Sequence, residues 1–157
     1  MSVRESFDRQ ALPGTRESSV HLAEFPAAAS LEALVDDALV AEWQRLLAIR
    51  VQVNGEIEGR RNEKLFGTSL GAHVTLSASG DDLALLRRYE ADLPMLFIVS
   101  TVTLTEGGGN DLGIVVTKAD GVKCERCWRI VPSVTREADR EGLCERCVDA
   151  LAEPVAR

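Results

Sequence analysis

The chain carries four cysteines, and they form two matched pairs, Cys124-Glu125-Arg126-Cys127 and Cys144-Glu145-Arg146-Cys147, separated by sixteen residues. This spacing constrains the tail more than any other feature. Two residues between ligands let the backbone turn so that both thiolates face one centre, and the second pair supplies the remaining corners of a tetrahedron. The expectation is one structural zinc ion held by Cys124, Cys127, Cys144 and Cys147, because a closed thiolate shell leaves no position for water or substrate. Two disulfides would suit a secreted chain, but Met1 to Gln10 is charged throughout and lacks a signal peptide's apolar stretch. A redox pair is disfavoured by two matched copies without a strand-and-helix pattern around them.

The 157 residues, 45% of them hydrophobic, allow one ordinary domain or two small ones. No stretch approaches the roughly 18 consecutive apolar residues of a membrane span, so the expectation is a soluble, cytoplasmic protein with no membrane partner. The net charge of -7 does not favour a polyanion binder. The charge is uneven, however. Lys118 to Cys147 holds seven Lys or Arg against six Asp or Glu, whereas Leu65 to Thr117 holds two against six. The cysteine region therefore permits a local RNA contact.

The pattern predicts an α+β chain: a long N-terminal helix from a helical bundle, a small β-α-β-β junction, and a C-terminal four-cysteine zinc knuckle or ribbon. The expected divisions are 1–66, 67–119 and 120–157. Met1 to Ser30, with Pro13, Gly14 and Pro26, reads as a lead-in with one extended piece at Val20 and Leu22. Ser30 is the candidate N-cap of a helix running to about Lys64 and ended by Gly67. Its apolar stripe is Val35, Leu39, Trp43, Leu46, Val53 and Ile57, with Arg50 filling the gap. Gly55 and Gly59 weaken its second half by about 1 kcal/mol each. Arg60, Arg61 and Lys64 form a solvated face. Three strands follow, His73 to Ala78, Leu96 to Leu104 and Leu112 to Thr117, with a short helix from Asp81 after the first. His21 and His73 read as ordinary structural residues, with no catalytic companion in sequence.

Phosphate loops, dinucleotide fingerprints, nucleophile elbows and paired zinc-binding histidines are all absent from the sequence. The acidic pairs Asp36-Asp37 and Asp81-Asp82 suit the positive ends of helix dipoles better than acid–base catalysis. The chain should bind something, not transform it. Arg126 lies between two ligands and Trp128 follows the second, so a bound metal would fix an indole beside a guanidinium, a surface suited to an unpaired base and its phosphate. The competing reading packs Trp128 under the knuckle as its small core. Lys123 and Arg129 flank this turn. Arg50 either snorkels to solvent or faces a phosphate.

The run Lys123-Cys-Glu-Arg-Cys-Trp128 followed by Gly142-Leu-Cys-Glu-Arg-Cys-Val148 resembles the C-terminal zinc module of bacterial isoleucyl-tRNA synthetases. Ser19-Val20-His21-Leu22, then Trp43 with Leu46-Leu47 and Arg50, Lys64 with Gly67-Thr68-Ser69-Leu70, and Leu96-Phe97-Ile98-Val99-Ser100 resemble that region in the same order. The resemblance covers Ser19 to Leu151. It implies the end of the anticodon-binding helical domain, a junction, and a zinc module contacting the anticodon region of isoleucine tRNA. The RNA contacts it implies are Arg126 and Trp128, with Lys123, Arg129 and Arg50 as further candidates. Gly71 departs from the family's usual glutamate.

A class I synthetase needs HIGH-like and KMSKS-like motifs. With histidines at 21 and 73 and lysines at 64, 118 and 123, this chain holds neither. The expectation is a fragment, an excised domain or a stand-alone descendant, inactive in aminoacylation alone, binding no nucleotide, and partnered by tRNA or by the catalytic part of the enzyme. A second hypothesis is a zinc protein that docks on another protein through the exposed helix stripe. A glycosylase-type DNA binder shares the cysteine motif, but Ser2 stands where that family has its proline nucleophile, so no DNA partner is expected.

Overall fold

The computed structural model describes residues 19–107, 109 and 111–152. The chain divides into two compact units, residues 1–40 and 41–157.

In the first unit the expected extended piece is a single 3-10 turn, Val20–Leu22. The expected helix start at Ser30 is also displaced. Ser30 lies inside a short helix α1 (Ala28–Leu31) and donates its hydroxyl to Ala27 O at 2.7 Å. A second 3-10 turn, Glu32–Leu34, follows, and Val35 is extended. The long helix α2 (Asp37–Asn62) begins only after Asp36, whose carboxylate accepts from Leu39 N at 3.0 Å. Asp36 satisfies a first-turn N–H that Ser30 was expected to serve, and Asp37 adds negative charge at the dipole's positive end.

In the second unit α2 buries Leu46, Ile49, Val53 and Ile57. These four positions, at steps of three, four and four, make one narrow stripe. Ile49 takes the place assigned to Arg50, and Trp43 is 40% exposed at the stripe's edge, meeting Tyr89 edge-on at 5.9 Å. The helix passes through Gly55 and Gly59 and stops at Asn62, with Arg60 and Arg61 paired to Glu63 and Glu58 on an exposed face. Lys64, not Gly67, takes the left-handed position (φ 62°), and bonds from Lys64 N to Arg61 O and from Leu65 N to Arg60 O close the last turn.

The sheet is built on β1 (Ala72–Ala78), whose alternation buries Ala72, Val74, Leu76 and Ala78. A parallel neighbour needs a helical crossover. That crossover is α3 (Gly80–Arg88) and α4 (Leu93–Phe97), and it leads to β2 (Thr101–Glu106), while β3 (Gly113–Lys118) pairs antiparallel on the other side, giving the order β2-β1-β3. The expected strand from Leu96 is thus corrected: Leu96 and Phe97 are helical. Pro94 pre-sets the first turn of α4, and Ile98 ends it in the left-handed region (φ 57°), with Ile98 N on Met95 O and Val99 N on Pro94 O. His73 is structural, its Nε2 sharing a 2.8 Å hydrogen bond with Thr103 Oγ1 across the strands.

Leu46, Val53, Val74, Leu76, Leu86 and Phe97 belong to one core. The edge of α2 is tied to α3 by Arg45 on Asp82 at 2.7 Å, by Arg88 on Glu42, and by the Tyr89 hydroxyl donating to Glu42 at 2.7 Å. The tail adds a two-stranded ladder, β4 (Val122–Lys123) with β5 (Ile130–Val131), and helix α5 (Glu145–Ala152). The mixed α+β architecture with a terminal cysteine cluster is the one expected. Among the described residues no helix is long and apolar enough to cross a membrane.

Candidate metal centre

The first cysteine pair sits on the turn between β4 and β5. Cys124 N donates to Arg129 O at 2.9 Å and Trp128 N to Cys124 O at 2.9 Å, so the chain reverses tightly around Cys124 and Cys127. The second pair opens α5, with Cys147 N and Val148 N both donating to Cys144 O. Glu125 N on Gly142 O at 3.0 Å joins the two turns. Two glycines permit this approach. A Cβ on Gly121 (φ 132°) would stand 2.2 Å from Val131 O, and one on Gly142 (φ 78°) would stand 2.9 Å from Glu125 Cγ. Both angles are ones that L side chains rarely adopt.

The four sulfurs all lie within 4.8 Å of one another. Cys127 Sγ and Cys144 Sγ are 3.7 Å apart. A regular tetrahedron with metal–sulfur bonds of about 2.3 Å has edges of about 3.8 Å. The donor set therefore fits one tetrahedral metal ion. Charge points the same way. Burial opposes ionisation of Cys124, yet backbone N–H groups aimed at its sulfur, including Cys144 N at 3.3 Å, hold its pKa down to about 6. Burial pushes Cys127 upward and Cys144 up to about 12; the other three thiols add to the rise at Cys144, whereas at Cys127 those of Cys124 and Cys147 add and that of Cys144 opposes. One thiolate is accommodated by the backbone N–H groups and the Cys127 thiol around it; four so close together call for a cation.

The apolar support is small, comprising Val131, Val134 and Leu143 against the cysteines. Trp128 is not part of it. Its side chain is 61% exposed, its backbone is left-handed (φ 64°), and Lys123 Nζ sits 5.5 Å from the ring centre. The small-core reading of Trp128 therefore fails. Arg126 is exposed, so Lys123, Arg126 and Trp128 share one accessible turn. The other two candidates lie elsewhere. Arg129 is half-buried, with its guanidinium on Ser100 O and its Nε buried without a partner among the described residues. Arg50 also has a buried Nε without a partner among the described residues, and it lines an apolar cleft of about 290 Å³ with Trp43, Leu46, Tyr89 and Leu93. Asp92, Met95 and Ile98 border both this cleft and a second one, of about 390 Å³, that reaches Cys127, Arg129 and Arg146.

Sequence reasoning missed Arg146 and Ser100. The repeated Cys-Glu-Arg-Cys placed Arg146 in the same position as Arg126 and could have flagged it; it too is exposed. Nothing in sequence singles out Ser100.

In an alignment 151 residues long that covers 90% of this chain, the chain is 44% identical to an isoleucine–tRNA ligase of Syntrophotalea carbinolica. This chain is a homologue of the isoleucine–tRNA ligases. Others of the family agree: one from Geobacter sulfurreducens is 38% identical over 149 residues, and one from Bacillus mycoides 36% over 151. The chain spans about 16% of the length of each of these ligases. No family model matches it.

Proposed function

We propose that this chain is the tRNA-binding C-terminal module of an isoleucine–tRNA ligase, acting in the cytoplasm on the anticodon region of isoleucine tRNA. In this reading residues 1–66 end the anticodon-binding helical domain, 67–119 form the junction, and 120–157 form the zinc module. Zinc is the ion that suits four thiolates in a tetrahedron, and its part is to hold the two turns together. The chain contributes recognition, and the ligase's chemistry is carried by other parts of the enzyme.

One observation carries the reading. Trp128 stands 61% exposed on a left-handed backbone. A bulky residue in that conformation costs on the order of 1 kcal/mol or more, a strain typical of binding sites. The indole, flanked by Lys123 and Arg126, offers a flat face for an unpaired base and two cations for its phosphates. Arg129 and Arg50 are more enclosed, and any RNA contact from them is secondary.

The test is Trp128→Ala and Arg126→Ala in the zinc-loaded chain, assayed for tRNA binding. Stacking is worth about 1 to 3 kcal/mol per base, so Trp128→Ala should weaken binding by about 5- to 150-fold while zinc stays at one equivalent. Arg126→Ala should also lower the salt dependence by about 0.7, the share of one single-strand phosphate. Unchanged affinity in both variants refutes the reading.

A second reading has its own support. Leu47 and Val51 on α2 are exposed apolar residues, at 44% and 72%. In that case the helix docks on another part of the ligase, and Val51→Asp would abolish a complex with that part while sparing tRNA binding.

A further inference from the structure

Among the described residues Ser100 is the one polar residue buried in the protein, at 2% exposure. Its position at the end of the α4–β2 connection places it between the sheet and the first cysteine turn. Its hydroxyl donates to Leu70 O at 2.5 Å and accepts from Ile130 N at 2.6 Å. Its own N–H donates to Ala72 O at 3.1 Å, and its carbonyl accepts from the Arg129 guanidinium. A single buried residue therefore ties the segment before β1, the start of β2 and the start of β5.

The second half of the tie is Arg129. Its carbonyl accepts from Cys124 N at 2.9 Å, closing the turn that carries Cys124, Cys127 and Trp128. Its side chain reaches out of that turn to Ser100. With the backbone of Trp128 left-handed, the direction of the indole is set by the turn, and the turn is referred to the sheet through this contact. A charge-assisted hydrogen bond to a backbone carbonyl is about twice as strong as a neutral one. Such a polar link is directional, as apolar packing is not.

We propose that Ser100 and Arg129 are positioning residues that lock the metal-bearing turn onto the sheet and thereby aim the Trp128 indole. The inference deepens the RNA-binding reading and assigns Arg129 a role different from a phosphate contact. The two roles separate by salt. A phosphate-binding Arg129 would take about 0.7 off the salt slope when replaced, whereas a positioning Arg129 leaves the slope unchanged and lowers affinity at every salt concentration.

The experiment uses the full zinc-loaded chain and the variants Ser100→Ala, Ser100→Cys, Arg129→Ala and Arg129→Lys. Backbone 15N relaxation and alignment are measured for residues 124–131 relative to β1, together with tRNA affinity across a salt series. The expected result is one equivalent of zinc in every variant, independent motion of the turn in Ser100→Ala and Arg129→Ala, and partial restoration in Arg129→Lys. Affinity should fall by about fivefold, the effect of one net hydrogen bond. In a Trp128→Ala background Ser100→Ala should cost nothing further, since it acts through the indole. Should Ser100→Ala fail to fold, Ser100→Cys and Arg129→Lys carry the same comparison. An unaltered turn in the relaxation data, or a salt slope reduced in Arg129→Ala, overturns the proposal. Failure of the parent chain to bind tRNA while the relaxation result holds would remove the RNA reading and leave the lock standing.

Discussion

Removing the metal should unfold the tail and spare the rest of the second unit. The apolar support of the cysteine cluster is Val131, Val134 and Leu143, all half-buried. At about 1 kcal/mol for each half-buried aliphatic side chain, they supply about 3 kcal/mol. A structural zinc in a comparable small module supplies about 10 to 16 kcal/mol. The ion is the larger contribution by severalfold, so the turns cannot persist on side-chain packing alone. The core of α2 and the sheet has fully buried Leu46, Val53, Val74, Leu76 and Phe97 and shares none of the cysteine cluster's residues. Hydrogen exchange with and without a chelator reads both regions at once. Chelation should abolish protection of the Cys124, Trp128, Thr135 and Cys147 amides, each of which donates to a carbonyl within the tail. Protection at Val74 and Leu76 should remain. Retained protection of the tail amides after complete removal of zinc would refute the reasoning. Cys124→Ser and Cys144→Ser should behave as the chelated chain does.

Other expectations follow from particular contacts. Leu46→Ala should cost about 2 to 5 kcal/mol in denaturant unfolding, while Leu47→Ala, one residue on and 44% exposed, should lie within about 0.5 kcal/mol of the parent; similar costs would misplace the buried stripe. The hydrogen bond from Arg45 holds the Asp82 carboxyl below its ordinary value. Its contribution is therefore present above the unfolded carboxylate pKa and is lost as pH falls through the lower folded value. For a pair this exposed, Asp82→Asn should cost about 0.2 to 1 kcal/mol at pH 7, a difference that should vanish in strongly acidic solution. A difference that grows on acidification would reverse the assignment. Gly121→Ala drives a Cβ to 2.2 Å from Val131 O and should disrupt the β4–β5 ladder and weaken metal binding; unaltered zinc affinity would show that the ladder is dispensable.

The parts of this fold that sequence reveals are those set by period and by ligand spacing. The cysteine pairs, the alternation of β1 and the helical stripe at Leu46, Val53 and Ile57 all read correctly. Helix ends were harder. Three turns place a residue other than glycine in the left-handed region: Lys64, Ile98 and Trp128. The usual glycine signal therefore pointed past the end of α2 to Gly67, and gave no stop at Ile98. Leu96 to Leu104 is rich in strand formers, but Pro94 and the closing bonds at Ile98 and Val99 win locally for a helical turn. Ser30 was displaced as a cap because Asp36 stands directly before the helix proper. The site was legible as chemistry and not as orientation. Spacing identifies the four cysteines that come together, whereas the Ser100–Arg129 contact depends on chain segments about 30 residues apart.

In the proposed function a metal-ordered turn presents Trp128 and Arg126 to isoleucine tRNA. Its most direct test is the affinity of the zinc-loaded chain for isoleucine tRNA and for a second tRNA across a salt series. Isoleucine tRNA should bind more tightly than the second tRNA, with binding that weakens as salt rises and is lost on chelation. Equal affinity for both tRNAs, or binding indifferent to zinc, would contradict it.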